Sequence, residues 1–137
     1  MLSIAFCDDE PIMLEELFNV VKGYIDSKKV EFTADLFESG EEFVEKGVRC
    51  RKYDIVFLDI EMKEMNGLEA AAWFRKLNEQ SKVIFVSSHV EYTLDAFKVA
   101  AFRYIIKNKD TMTQAVQEAL DACLDINPEI KQVKKYH

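Results

Sequence analysis

Charged and hydroxyl side chains directly follow several short apolar runs of the sequence. These residues are Asp8, Asp9, Asp59, Ser87 and Lys107. Three carboxylates held close together repel one another, and a bound divalent cation removes that cost. Oxygen ligands suit a hard ion such as Mg²⁺ or Mn²⁺, which also takes water and phosphate oxygens. With a hydroxyl and a lysine nearby, such a site could surround a phosphoryl group, and a carboxylate can itself be the nucleophile that forms an aspartyl phosphate.

These side chains converge only if the apolar runs are strands of one parallel sheet. The runs are short, nearly continuous and rich in β-branched and aromatic residues, which is typical of strands covered on both faces. They are Leu2–Cys7, Tyr53–Leu58, Val83–Val86 and Phe102–Ile106. A fifth segment alternates apolar and polar residues from Val30 to Leu36, as in a half-exposed edge strand. In open α/β sheets, ligands bind beyond the carboxyl ends of the strands.

Helical patterns separate these runs. Apolar residues recur on one helix face from Leu14 to Ile25, and Pro11 is placed as a first-turn proline. Other helix starts are predicted by the capping-box pairs Ser39/Glu42 and Ser88/Glu91, by the turn Asn66-Gly67, and by Asp110 as a cap. Strands that alternate with helices predict an α/β fold, a doubly wound parallel sheet with helices on both faces.

The composition excludes several classes of function. The 137 residues fit one domain, and 25 acidic against 18 basic residues give a net charge of −7. Such a surface repels phosphate backbones, so we expect no direct binding to nucleic acid. Three widely spaced cysteines indicate reduced thiols in a cytoplasmic protein. No apolar run is long enough to span a membrane.

The chain resembles the receiver domain of bacterial two-component response regulators. The resemblance covers residues 1–125 and is carried by Cys7-Asp8-Asp9-Glu10, Val56–Met62, Asn66-Gly67, Val86–Ser88 and Tyr104–Lys107. Glu61-Met62 and Val90–Phe97 are further similar to receivers attached to LytTR-type DNA-binding domains. The family implies a flavodoxin-like sheet of five strands in the order 2-1-3-4-5, with five helices. Residues 126–137 would form a C-terminal tail or the start of a linker to an output domain.

The resemblance also implies a metal site and a phosphoryl acceptor. Asp59 would accept the phosphoryl group from the phosphohistidine of a sensor histidine kinase. Asp9 and Asp59 would bind Mg²⁺ (or Mn²⁺) directly, Asp8 mostly through water, and the backbone carbonyl of Glu61 would complete the protein ligands. Such a domain catalyses only its own phosphorylation and dephosphorylation and is not otherwise an enzyme.

Three further residues would respond to the phosphoryl group. Ser87 would hydrogen-bond to it and Lys107 would pair with it, while Tyr104 would turn inward as Ser87 moves. The family usually has proline after this lysine, joined by a cis bond, but here Asn108 follows. Because a non-proline cis bond costs about 2.5–4 kcal/mol, we expect a trans bond. Asn108 could instead adopt a left-handed conformation.

Two loop residues are candidates for tuning the lifetime of the phosphoryl group. Glu61 lies two residues after Asp59, and His89 lies two residues after Ser87. In this family, side chains at these places flank the path of the attacking water. The alternative is that both are simply solvated loop residues.

The output of the domain leaves alternatives open. The face formed by the fourth helix, fifth strand and fifth helix would carry mixed charges for a homodimer, at Glu91, Asp95, Lys98, Arg103, Gln114, Gln117, Glu118 and Asp121. The leading hypothesis is control of transcription through a LytTR-type output domain. The second is a stand-alone receiver or phosphorelay intermediate that acts by protein contact. A phosphatase with a nucleophilic aspartate is disfavoured, because Glu61 stands where such enzymes place a second aspartate.

Overall fold

Five strands form one parallel sheet: β1 (Leu2–Cys7), β2 (Phe32–Phe37), β3 (Ile55–Leu58), β4 (Lys82–Ser87) and β5 (Arg103–Ile106). Their order is β2-β1-β3-β4-β5. The helices are α1 (Pro11–Ser27), α2 (Gly40–Glu45), α3 (Gly67–Leu77), α4 (Thr93–Lys98) and α5 (Met112–Ile126), with one additional 3₁₀ helix, Gly47–Lys52. The structure is a computed structural model that describes residues 1–126. The predicted doubly wound flavodoxin-like fold and its strand order are confirmed.

The sheet separates two hydrophobic clusters, as the near-continuous apolar strands predicted. One cluster packs α1 and α5 against one face and includes Ile25, Phe57 and Leu120. The other packs α2 and α3 against the opposite face and includes Phe43, Phe74 and Phe85. Each fully buried side chain of this size contributes about 1.5–3 kcal/mol. The sheet is therefore held rigidly from both sides, and its strand ends are suited to positioning a site.

The edge strand β2 differs in detail from its predicted alternation. Phe32 and Ala34 pack against one cluster, while Phe37 is buried in the other. Leu36, which continues the alternation, is nevertheless 43% exposed. The reason is that helices lie on both faces of the sheet, so the edge strand contributes side chains to both clusters and leaves its outer rim open.

Several predicted helix starts are confirmed. Pro11 opens α1. At α2 the Ser39 side chain accepts from the Glu42 N–H at 3.0 Å, although the Glu42 carboxylate accepts from the Glu38 N–H rather than that of Ser39. The turn predicted at Asn66-Gly67 is itself the start of α3, where Asn66 forms a complete capping box.

Two predicted caps are wrong. α4 begins at Thr93 and no side chain caps it, because the Glu91 carboxylate contacts the His89 ring instead. α5 begins at Met112 rather than directly after Asp110. The residue that organises this last turn is Asn108, whose side chain accepts from the Asp110 N–H at 2.8 Å.

The structure also shows how the chain continues after Lys107, where Asn108 stands in place of the usual proline. The Lys107–Asn108 peptide bond is trans, as expected, and Asn108 does not adopt a left-handed conformation. Its backbone carbonyl accepts from the Met112 N–H at 2.9 Å. The local hydrogen bonds of Asn108 thus lead the chain from β5 into α5.

No helix within residues 1–126 combines the length and hydrophobicity needed to cross a membrane. The predicted tail, residues 126–137, lies outside the described residues except for Ile126, which ends α5.

Candidate phosphoryl and metal site

Asp8 and Asp59 are neighbours because β1 and β3 run side by side. Cys7 at the end of β1 is aligned with Leu58 at the end of β3, and each acidic residue follows its strand directly. The strand order reverses at this point, which is where open α/β sheets bind ligands. Both carboxylates are buried, so the sheet holds two acidic groups at the edge of its own core.

Lys107 reaches the same edge from β5 and bridges the two carboxylates. Its Nζ lies 3.0 Å from Oδ2 of Asp8 and 3.2 Å from Oδ2 of Asp59. None of the three side chains is more than 9% exposed. The Lys107 N–H donates to the Ser87 carbonyl at 2.8 Å, which aligns the ends of β4 and β5. The structure therefore brings together Asp8, Asp59 and Lys107, which the sequence singled out, and places Ser87 at the end of the strand beside that of the lysine.

Burial and neighbouring charges shift the pKa values of Asp8, Asp59 and Lys107. Burial, followed by the charge of Asp8, raises the pKa of Asp59 to about 6. Burial likewise raises the pKa of Asp8. Burial alone would lower the pKa of Lys107, but the charges of Asp59 and Asp8 outweigh it and hold that pKa above its ordinary value. One buried lysine thus compensates two buried carboxylates incompletely, and an additional cation would relieve the repulsion.

The donor set fits a hard divalent cation. Asp8, Glu10 and Asp59 each offer a carboxylate oxygen, and these oxygens lie within 4.8 Å of one another. Oxygen-only donors of this kind suit Mg²⁺. Glu10 was expected near these acids but not as one of the ligands. It enters because its exposed carboxylate lies 3.3 Å from Nζ of Lys107, a contact between residues 97 positions apart.

Asp9, which was predicted as a direct ligand, is placed differently. Its Oδ2 accepts from the backbone N–H of Lys63 at 3.1 Å, in the loop between β3 and α3. Glu61, whose carbonyl was predicted to complete the ligands, belongs to the same loop. Asp9 therefore contacts the loop that follows Asp59 rather than joining the carboxylate group.

Ser87 and Tyr104 meet at one residue, His89. Ser87 is fully buried, and its Oγ accepts from the His89 N–H at 3.1 Å. The hydroxyl of the half-buried Tyr104 donates to the carbonyl of His89. The Tyr104 ring packs against Phe85 with centroids 6.2 Å apart. The two predicted switch residues are thus connected through the backbone of the loop between β4 and α4.

Glu61 and His89 are paired rather than separately solvated. Oε1 of Glu61 lies 3.2 Å from Nε2 of His89, and Nδ1 of His89 lies 3.1 Å from Oε2 of Glu91. The Tyr92 hydroxyl donates to the other Glu61 oxygen at 2.7 Å. Sequence reasoning missed Tyr92, because the contact joins residues 31 positions apart in two different loops.

Comparisons with known proteins agree with this geometry. The family model "Response regulator receiver domain" matches residues 4–118. The chain is 31% identical over 103 residues to the transcriptional regulatory protein LytR of Staphylococcus aureus (strain N315), covering 73% of this chain and 39% of that protein. It is 35% identical over 112 residues to the sensory transduction protein LytT of Bacillus anthracis, covering 80% of this chain and 43% of that protein. The chain therefore spans less than half the length of these curated relatives.

Solved structures of response regulators also resemble this chain. The response regulator TrrA of Thermotoga maritima, crystallised in complex with Mg(2+)-BeF, superposes with a TM-score of 0.74 at 31% identity, over 90% of this chain and all of that one. A CheY-like receiver domain of Methanospirillum hungatei JF-1 gives a TM-score of 0.73 over 93% of this chain and 99% of that one, and at 19% identity it shows the fold alone.

Proposed function

The chain belongs to the response regulator receiver domain family, and from that premise we propose that it accepts a phosphoryl group on Asp59 from a sensor histidine kinase. A carboxylate oxygen of Asp59 forms the new P–O bond while the P–N bond to the kinase histidine breaks. The departing imidazole keeps the electron pair of that bond and takes up a proton. The chain's own part is to hold the acceptor in place and to compensate the charge that it gains.

The observation that carries the proposal is the buried bridge of Lys107 between Asp8 and Asp59. A lysine that is already desolvated and aimed at the acceptor can neutralise phosphoryl oxygens with little rearrangement. The Ile60 N–H donates to Oδ1 of Asp59 at 2.8 Å, so the acceptor is also oriented by its own backbone. Asp59 is thus held in place and Lys107 is positioned beside the incoming group.

The metal in this proposal is Mg²⁺, or Mn²⁺, held by Asp8, Asp9, Asp59 and the backbone carbonyl of Glu61. When bound, it would offset the carboxylate repulsion and the charge of the phosphoryl oxygens. Asp9 would exchange the Lys63 N–H for this role. The complex of the similar protein TrrA with Mg(2+)-BeF supports the choice of Mg²⁺.

Ser87 and Tyr104 are the proposed switch. Ser87 would leave the His89 N–H and hydrogen-bond to the phosphoryl group. Because Tyr104 donates to the carbonyl of the same residue, movement of the loop would change the position of the tyrosine. The signal would then reach the face formed by α4, β5 and α5.

Labelling with a small-molecule phosphodonor such as acetyl phosphate tests the acceptor. In the presence of Mg²⁺ we expect the chain to be labelled, and we expect Asp59→Asn or a chelator to abolish the label. Asp35→Asn is a matched control, because this carboxylate lies on β2 and bonds to the Tyr53 hydroxyl. Equal labelling of the Asp59→Asn variant would contradict the proposal.

For the output, we propose control of transcription through a LytTR-type DNA-binding domain. LytR and LytT support this, since each continues well beyond the part that matches this chain. The alternative is a stand-alone receiver or phosphorelay intermediate, and the length of the intact open reading frame distinguishes the two. The cysteines Cys7, Cys50 and Cys123 are free and buried, which supports the proposed cytoplasmic location.

Phosphorylation is proposed to promote a homodimer through the α4–β5–α5 face. Besides the predicted charges, three large apolar side chains in and just before α4 are exposed, which sequence reasoning missed: Val90, Leu94 and Phe97, at 63–80%. Large exposed apolar side chains favour a protein contact when they lie close together. We expect the beryllofluoride complex to double in mass by light scattering, and Phe97→Ser to remain monomeric. An unchanged mass in the presence of beryllofluoride and Mg²⁺ would count against the dimer.

A further inference from the structure

Tyr92, at the start of α4, is a residue to which the proposed phosphoryl chemistry gives no part. We propose that it is a positioning residue whose hydroxyl holds the Glu61 carboxylate away from the phosphoryl group and so lengthens the lifetime of the aspartyl phosphate. The inference rests on the proposed function of Asp59 and names a regulator of that same site.

The first support is that both oxygens of Glu61 are engaged. Oε2 accepts from the Tyr92 hydroxyl at 2.7 Å, and Oε1 lies 3.2 Å from Nε2 of His89. The rings of His89 and Tyr92 meet edge to face with centroids 5.9 Å apart. Glu61 is half-exposed, yet its carboxylate is bound from two sides, so its position is determined by contacts rather than by solvent.

The second support is that His89 is itself held in place. Its ring contacts the Glu91 carboxylate at 3.1 Å, and this contact does not involve Ser87 or Tyr104, the two residues that the proposed switch moves. With His89 immobilised on one side, the Tyr92 hydroxyl becomes the contact that decides whether Glu61 can leave.

The third support is the chemistry of dephosphorylation. A water oxygen forms a bond to phosphorus, the bond between phosphorus and the Asp59 oxygen breaks with its electron pair left on the carboxylate, and both water protons leave with the phosphate. A carboxylate two residues from Asp59 could accept a hydrogen bond from that water and orient it. While Tyr92 and His89 bind both of its oxygens, Glu61 is withheld from this role.

Tyr92→Phe tests the inference directly, because it removes one hydroxyl and keeps the ring. After labelling and removal of the donor, we expect the phosphoryl group to be lost about fivefold faster, a factor in keeping with the loss of one hydrogen bond. In a Glu61→Ala background, Tyr92→Phe should have no effect. Tyr24→Phe is the matched control, because it removes a similar contact of 2.8 Å between a tyrosine hydroxyl and the Asp121 carboxylate. Tyr24 lies about 20 Å along α1 from Pro11, the end of the helix that is nearest the site.

A second measurement does not depend on phosphorylation. A double-mutant cycle of Tyr92→Phe and Glu61→Ala in urea unfolding, without Mg²⁺, should show a favourable coupling between the two side chains. Unchanged or slower phosphoryl loss in Tyr92→Phe would overturn the inference, as would equal acceleration without Glu61. If the wild-type chain carries no label on Asp59, the proposed function fails and this inference fails with it.

Discussion

Replacing Gly67 with alanine is expected to lower the free energy of unfolding by about 3 kcal/mol or more, since overpacking against backbone cannot be relieved by a rotamer change. A Cβ at this position would lie 2.0 Å from the backbone oxygen of Asp59 and 3.0 Å from Cα of Ile60. Gly67 is also tied to this loop by the bond from its N–H to the Ile60 carbonyl, at 2.8 Å. To accept a methyl group, the loop that carries Asp59, the proposed phosphoryl acceptor, would have to move.

Urea unfolding measures this effect, and labelling by a phosphodonor should fall with it because Asp59 is displaced. Gly23→Ala is a matched control within α1, where a Cβ would meet nothing within 4 Å. That control should stabilise the protein by about 0.5–1 kcal/mol, the usual gain for alanine over glycine in a helix. A Gly67→Ala variant as stable as the wild-type chain would contradict the expected clash between the new methyl group and the Asp59 backbone oxygen.

Asp59→Asn is expected to stabilise the metal-free protein at neutral pH. Burial and the charge of Asp8 raise the pKa of Asp59 from 3.8 to about 6. The folded state therefore binds this proton more tightly than the unfolded state, and stability is lost as the pH rises from about 4 to about 6. A shift of this size corresponds to about 2–3 kcal/mol, which asparagine avoids because it does not ionise.

Unfolding in urea with a chelator, at a series of pH values from 4 to 7.5, measures this difference. Asp59→Asn should be the more stable protein at pH 7, and its advantage should shrink as the pH approaches 4. Asp35→Asn should change stability in the opposite direction, because the hydrogen bond from Tyr53 lowers the pKa of Asp35. If Asp59→Asn is the less stable protein at pH 7, the ionised Asp59 carboxylate does not destabilise the folded state as expected. Mg²⁺ should stabilise the wild-type chain more than this variant, since the proposed metal site includes the Asp59 carboxylate.

Most of the fold was predictable because its signals are local. Each buried strand is a short apolar run, and each run is bounded by polar residues within a few positions. The helix starts at Pro11, Ser39 and Asn66 also depend on neighbours within four residues. The prediction failed at Ser88 and Asp110, because α4 begins only at Thr93 and α5 only at Met112, and the Asn108 side chain accepts from the Asp110 N–H in the turn before α5.

What the sequence by itself determined is which residues stand at the carboxyl ends of the strands. Parallel strands bring those ends to one edge, so the positions of Asp8, Asp59, Ser87 and Lys107 in the site follow from their places in the chain. The types of these residues then indicate a cation and a phosphoryl group, because a cation offsets the repulsion between carboxylates and a lysine with a hydroxyl can stabilise phosphoryl oxygens.

What only the tertiary structure decided is where the loop side chains point. Glu10 joins the carboxylate group while Asp9 turns to Lys63, and Glu61 is bound by His89 and Tyr92. The physical reason is that each of these contacts joins loops that are far apart in sequence, and neither periodicity nor composition encodes such a distance. The residues of the site could therefore be predicted from local sequence patterns, whereas the regulation proposed for the site depends on contacts between loops.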